Sequence, residues 1–119
     1  MSDYQHLPLY LKTYQFIKFL YVMIKSFPKE YKYTLGEDIL KLAWACLDTV
    51  LEANLLPNEK KYQKIKELSV IFDKLKIRIR MIQELNLISA KQFSHIQTYY
   101  AKEIGEMIGG WLGWSFNII

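Results

Sequence analysis

The sequence predicts an all-α protein, an antiparallel up-down four-helix bundle, and three observations carry that expectation. Apolar residues recur at steps of three and four along the whole chain and nowhere alternate as in a strand. Breaks fall at only three places, around Pro28, at Pro57-Asn58 and at Leu87 to Ser89. The connections they leave are short, which forces successive helices to run antiparallel. A chain of 119 residues has length for a single core, so one domain is expected over residues 1–119.

The first helix is expected over about 8–26, with a seam of Leu7, Tyr10, Tyr14, Ile17, Tyr21 and Ile24. The second, about 35–55, starts with Thr34 and Glu37 at capping-box spacing and supplies Leu35, Ile39, Leu42, Cys46 and Val50. Asn58 is placed to cap a third helix over about 59–86, with a seam of Ile65, Leu68, Phe72, Leu75, Ile79 and Ile82. Ser89 and Gln92 form a second capping-box pair at the start of the fourth, about 90–112, with Phe93, Ile96, Tyr100, Ile104, Met107 and Trp111 on its seam.

Composition narrows the function. With 51% hydrophobic and 24% charged residues the chain is a folded domain and not a disordered one. Cys46 is the single cysteine, so neither an internal disulfide nor a cysteine-based zinc site can form, and its seam position reads as a packed thiol. The N-terminus lacks a basic start and apolar run, and the stretch Phe19 to Ile24 is far below the roughly 20 residues a membrane span needs. A cytoplasmic protein is expected.

Two helices carry more apolar surface than one core needs. The second has another line, Leu40, Trp44, Leu47, Leu51 and Leu55, and the first keeps only a narrow polar strip of Lys12, Gln15, Lys18 and Lys25. Contiguous exposed apolar surface marks protein interfaces, so self-association or a protein partner is expected through Leu40, Trp44 and Leu51, with the region of Trp111 and Trp114.

Positive charge is concentrated on the third helix. Eight of the sixteen Lys and Arg residues lie there, at positions 60, 61, 64, 66, 74, 76, 78 and 80, while the whole chain is only +4. Projection places Lys60, Lys64, Lys74 and Arg78 on one flank, spread over about 27 Å at 1.5 Å per residue. The other flank mixes signs and can pair locally, as Arg80 with Glu84. Such a flank can follow a phosphate backbone without reading bases, with Lys12, Lys18 and Lys25 as further candidates; a merely solvated face is the competing reading.

Catalytic patterns are lacking. His6 and His95 have no carboxylate or thiol partner at a recognisable spacing, and no phosphate loop, dinucleotide glycine pattern or Glu-x-x-His pair is present. Neither an enzyme nor a metal or cofactor is expected. Ala101, Gly105 and Gly109 form a small-residue line that would let another backbone approach.

The order Leu7-Pro8-Leu9-Tyr10, Thr13-Tyr14, Phe27-Pro28-Lys29, Thr34-Leu35-Gly36-Glu37, Glu52-Ala53-Asn54 and Ile108-Gly109-Gly110-Trp111-Leu112 resembles the four-helix-bundle family of diversity-generating retroelement accessory proteins, the accessory variability determinants. The resemblance runs from Leu7 to Trp114. It implies a basic, barrel-shaped homopentamer without catalytic activity that binds a reverse transcriptase, its template RNA and the cDNA, and supports mutagenic cDNA synthesis and retrohoming. Asp38 stands where relatives often have a basic residue, and the tail 113–119 is apolar where many end in Lys or Arg. A related branch, the four-helix proteins of ribosomal RNA intervening sequences, is the alternative, and a protein-interaction bundle with no nucleic-acid role is a third reading.

Overall fold

The computed structural model describes residues 6–118. The reading of a leader-free N-terminus falls partly on residues 1–5, and Ile119 closes the apolar tail; these residues lie outside the described part. Four long helices form a rod of 46 × 23 × 19 Å. The first helix spans His6–Ile24, the second Leu35–Leu55 and the third Lys61–Glu84. The fourth is continuous through Ala90–His95, Ile96–Ala101 and Lys102–Asn117. Each helix packs against its two neighbours in the order first, second, third, fourth and back to the first. The antiparallel four-helix bundle is therefore as expected, and no strand occurs among the described residues.

The third helix buries its seam as the spacing predicts, with Ile65, Leu68, Phe72, Leu75, Ile79 and Ile82 all in the core. The first helix does not. Its core face is Leu9, Thr13, Phe16, Ile17, Leu20, Met23 and Ile24, while Leu7, Tyr14 and Tyr21 are exposed. Both faces of this helix are apolar enough to serve, and the choice falls to shape. Phe16 stacks on Tyr100 of the fourth helix at 4.7 Å, and the tyrosines keep their hydroxyls near water. Cys46 is buried on the second-helix seam, and burial pushes its thiol up to about 12, so it stays a neutral packing group.

The helix ends show how local chemistry sets the turns. Ser89 accepts from the Gln92 amide at 3.0 Å while Gln92 Oε1 accepts from the Ser89 amide at 2.8 Å, which completes the expected capping box. The matching box at Thr34 and Glu37 does not form. A helical turn, Lys29–Lys32, precedes it, and Thr34 Oγ1 donates to the Glu30 carbonyl at 2.6 Å instead. Asn58 does not cap the third helix either, because Pro57 opens a 3-10 turn, Asn58–Lys60, that draws Asn58 inside it.

At the end of the third helix Asn86 adopts φ 61°, with the Leu87 amide donating to Ile82 O and the Asn86 amide to Gln83 O. This left-handed ending satisfies carbonyls that a helix terminus would otherwise leave open. Gly36 is needed where the second helix passes the end of the first, since a Cβ there would come within 2.7 Å of the Ile24 side chain. On the fourth helix Gly105 meets only the Phe72 ring at ordinary distance, and Gly109 faces open space, so no backbone of this chain approaches along that line.

Lys61 holds the sharpest local constraint. Only 4% exposed, its ammonium donates to the carbonyls of Ala53 and Asn54 at 2.9 and 2.8 Å, at the C-terminal end of the second helix. A cation there satisfies orphan carbonyls and meets the negative end of the helix dipole. Lys61→Met keeps the stem but removes the donor, and is expected to lower unfolding stability by about 1.5–3 kcal/mol in urea titration, with helical content unchanged.

Candidate nucleic-acid interface

The outer surface of the third helix is where the expected phosphate contacts are distributed, and the structure divides them. Lys64 forms ion pairs with Glu52 of the second helix at 3.1 Å and with Glu67 at 3.5 Å. The hydrogen bond to Glu52 is the main reason its ammonium titrates above the usual lysine range, with the charges of Glu52 and Glu67 adding to it. Arg78 Nε donates to Asp38 Oδ2 at 2.9 Å, again across to the second helix. Lys60 and Lys74 are exposed and form no ion pair among the described residues. The flank read from the sequence is thus two free and two neutralised cations. The geometric reason is that this flank turns toward the second helix, whose acids face it.

The mixed flank pairs locally as its spacing predicts, Lys76 with Asp73 at 3.3 Å and Arg80 with Glu84 at 3.3 Å. Lys66, also exposed, carries a further charge without an ion pair, its ammonium 5.9 Å from the Tyr62 ring. On the first helix Lys18 and Lys25 are exposed, but Lys12 leaves the polar strip. Its side chain is 11% exposed, pairs with Glu103 at 3.3 Å and lies 3.5 Å from the centroid of the Tyr99 ring. The first helix is rotated from the expected seam, and that rotation carries Lys12 toward the fourth helix.

The apolar candidates separate in the same way. Trp44 is 39% exposed, and its Nε1 donates to Tyr21 Oη at 3.0 Å across the first and second helices. Seven residues back from Tyr21 is Tyr14 and seven on from Trp44 is Leu51, so in antiparallel register these two exposed side chains lie at one level. Tyr14 also stacks on Tyr10 at 6.2 Å. Leu40 is half-buried beside this face, where it lines a groove with Tyr21, Lys25 and Tyr33. Trp111 is 1% exposed, at the heart of the bundle, so it stabilises the fold and presents no surface. Trp114 is half-buried, and Phe116 in the helical tail packs on Tyr62 at 5.5 Å.

Three features escaped the sequence reading. Lys61 counts among the basic residues but serves the fold. Val70, Ile77, Met81 and Leu85 are exposed on the third helix beside Lys74, a second apolar face whose only signal is apolar residues lying off the seam. The fourth helix winds as a π-helix over Ile96–Ala101, bringing His95, Tyr99 and Tyr100 together, and no residue pattern announces it. Burial, then the neighbouring Tyr99, raises the Tyr100 phenol above its usual range, so it stays neutral.

No three His, Cys, Asp or Glu side chains among the described residues converge into a metal-holding group, and no described helix is long and apolar enough to cross a membrane. The fold defines the class as an all-α four-helix bundle. Within it, the family model described as bAvd-like matches residues 9–114, and the chain belongs to that family. The family consists of accessory proteins associated with retroelement components. No curated protein and no solved structure matches the chain.

The Arg78–Asp38 pair is half-exposed on both sides. A double-mutant cycle with Arg78→Gln and Asp38→Asn, read by chemical denaturation, is expected to give a coupling of about 0.2–1 kcal/mol that shrinks in high salt.

Proposed function

We propose that this chain is the non-catalytic accessory protein of a diversity-generating retroelement. In this reading it associates with copies of itself, as a pentamer, docks on the reverse transcriptase, and holds template RNA and cDNA through phosphate contacts during mutagenic cDNA synthesis and retrohoming in the cytoplasm. The observation that carries it is the family match over nearly the whole chain, joined to a third helix that keeps Lys60, Lys66 and Lys74 exposed and clear of ion pairs. Lys64 and Arg78 contribute less per residue, because an incoming phosphate must compete with Glu52, Glu67 and Asp38. Repetition of the basic face around an oligomer strengthens a field that one +4 chain exerts only weakly.

Protein contact is assigned to the face of Trp44, Leu51, Tyr14 and Leu40, with Trp114 at the far end of the rod. An indole more than a third exposed, hydrogen-bonded to a tyrosine and flanked by exposed Leu51 and Leu55, suits a contact that excludes water. The two apolar faces of one protomer, this one and that of Val70, Ile77 and Met81, differ from each other. A contact between unlike faces repeats head to tail, and a rotation of one fifth of a turn between protomers closes it into a pentameric ring.

Replacing Lys60, Lys66 and Lys74 with Gln is expected to weaken binding to unrelated RNAs and to flatten log K against log salt by about 0.7 to 0.9 per lost phosphate contact, measured by fluorescence anisotropy. An unchanged slope removes this face from the reading. Trp44→Glu should keep the helical fold and lower the melting temperature only by the loss of the Tyr21 hydrogen bond and partial packing, while light scattering shows a smaller particle and co-purification with the reverse transcriptase is reduced. A wild-type protein that is already a stable monomer at micromolar concentration overturns the oligomer.

A further inference from the structure

We infer that Asp48 selects what covers the Trp44 face, and that the occupant is a second copy of this chain, which seats the apolar stripe of its third helix there and brings Lys66 to the carboxylate. This rests on the self-association proposed above and names the contact that specifies it.

The second helix carries four acids, Glu37, Asp38, Asp48 and Glu52. Three of them are paired within the chain, Glu37 with Lys41 at 3.8 Å, Asp38 with Arg78 at 2.9 Å and Glu52 with Lys64 at 3.1 Å. Asp48 is exposed and forms no ion pair among the described residues. It stands one turn from both Trp44 and Leu51, each more than a third exposed, so an unpaired carboxylate sits inside an apolar patch.

A carboxylate in that place discriminates between occupants. A nucleic-acid backbone would bring like charge to it, and a wholly apolar surface would strip its water without replacing it, which costs free energy. A two-fold contact of this face with itself would bring two carboxylates into one apolar contact. What fits is an apolar surface that carries a cation. The third helix of the same chain presents one: Val70, Ile77 and Met81 are exposed, and Lys66, one turn before Val70, is exposed and without an ion pair among the described residues.

Height along the rod supports the match. The pairs Glu52–Lys64 and Asp38–Arg78 set the register of the second and third helices, which puts Asp48 level with Leu68, Trp44 with Phe72 and Leu40 with Lys76. Rotation about an axis parallel to the rods changes no heights, so in such a ring these levels also hold between one protomer's second helix and its neighbour's third. At 1.5 Å per residue, Asp48 then meets Lys66 within about 3 Å of height, Trp44 meets Val70 within about 3 Å and Leu40 meets Ile77 within about 1.5 Å. A single register thus serves the charge and both apolar contacts. Lys60 and Lys74, about 12 and 9 Å from Asp48 in height, stay available to phosphate.

The test is a charge exchange read by light scattering at matched protein concentrations. Asp48→Lys and Lys66→Glu each set like charges against each other and should raise the dissociation constant of the assembly by about tenfold or more. The double variant restores the pair in the opposite sense and should recover the wild-type particle. Both positions are exposed, so circular dichroism should show the same helical content in all three variants. A wild-type oligomer that neither single variant disturbs, or single losses that the double variant fails to recover, overturns the Asp48–Lys66 contact and leaves self-association standing. An oligomer that persists in Asp48→Lys while co-purification with the reverse transcriptase is lost assigns the face to that protein and overturns the second copy. A wild-type protein that is monomeric at micromolar concentration overturns both readings.

Discussion

Four helices packed in a ring can each bury one stripe, and this limit organises the rest of the molecule. A helix closer to its neighbours than one ridge-in-groove contact would clash, so whatever apolar or charged chemistry exceeds one stripe must sit outside. The third helix obeys most simply, with six seam residues inside and its charges out. The first helix is apolar nearly all round and has to choose. It buries Phe16 and Leu20 and leaves Tyr14 and Tyr21 at the surface. That choice creates the exposed aromatic edge which Trp44 joins, and it swings Lys12 inward to meet Tyr99 and Glu103. An interface candidate and a cross-helix ion pair thus both descend from one helix rotation.

Electrostatics then decides what remains available for a partner. The second helix has acids on the side it turns to the third, and Glu52 and Asp38 neutralise Lys64 and Arg78 there. Lys61 is withdrawn altogether into the carbonyls ending the second helix. Three of the eight basic residues concentrated around the third helix are therefore occupied in joining it to the second, and Lys76 and Arg80 are paired within their own helix. The charge that survives lies farther out, at Lys60, Lys66 and Lys74. Counting basic residues in a segment overstates its field; subtracting the cross-helix pairs gives the surface an anion would meet.

Much of this was legible in the sequence, and what was not has physical reasons. The breaks at Pro28, Pro57-Asn58 and Leu87 to Ser89 fall between helices because proline and cap residues act through local backbone geometry, whereas the left-handed Asn86 that ends the third helix is seen only in the structure. Ser89 with Gln92 is local too, and its capping box forms. Thr34 with Glu37 has the same spacing, yet the threonine hydroxyl finds the Glu30 carbonyl because a preceding turn brings it near. Competition between partners is not encoded in spacing. The Arg78–Asp38 pair spans forty residues and depends on helix register. The rotation of the first helix depends on which of two apolar faces fits the Phe16–Tyr100 contact, and the π-helix depends on packing in turn. The Trp111 assignment failed for a related reason, since a tryptophan on a seam can lie in a core or in an interface, and only tertiary packing distinguishes them.

The two chemistries that survive on the surface face different directions. The Trp44 edge lies over the junction of the first and second helices, and the unpaired cations on the outside of the third. On a rod only 23 × 19 Å across, one macromolecular partner seated on one side need not cover the other. Burying one stripe per helix thus leaves the apolar edge and the unpaired cations on separate sides of the rod, where neither is consumed by the other.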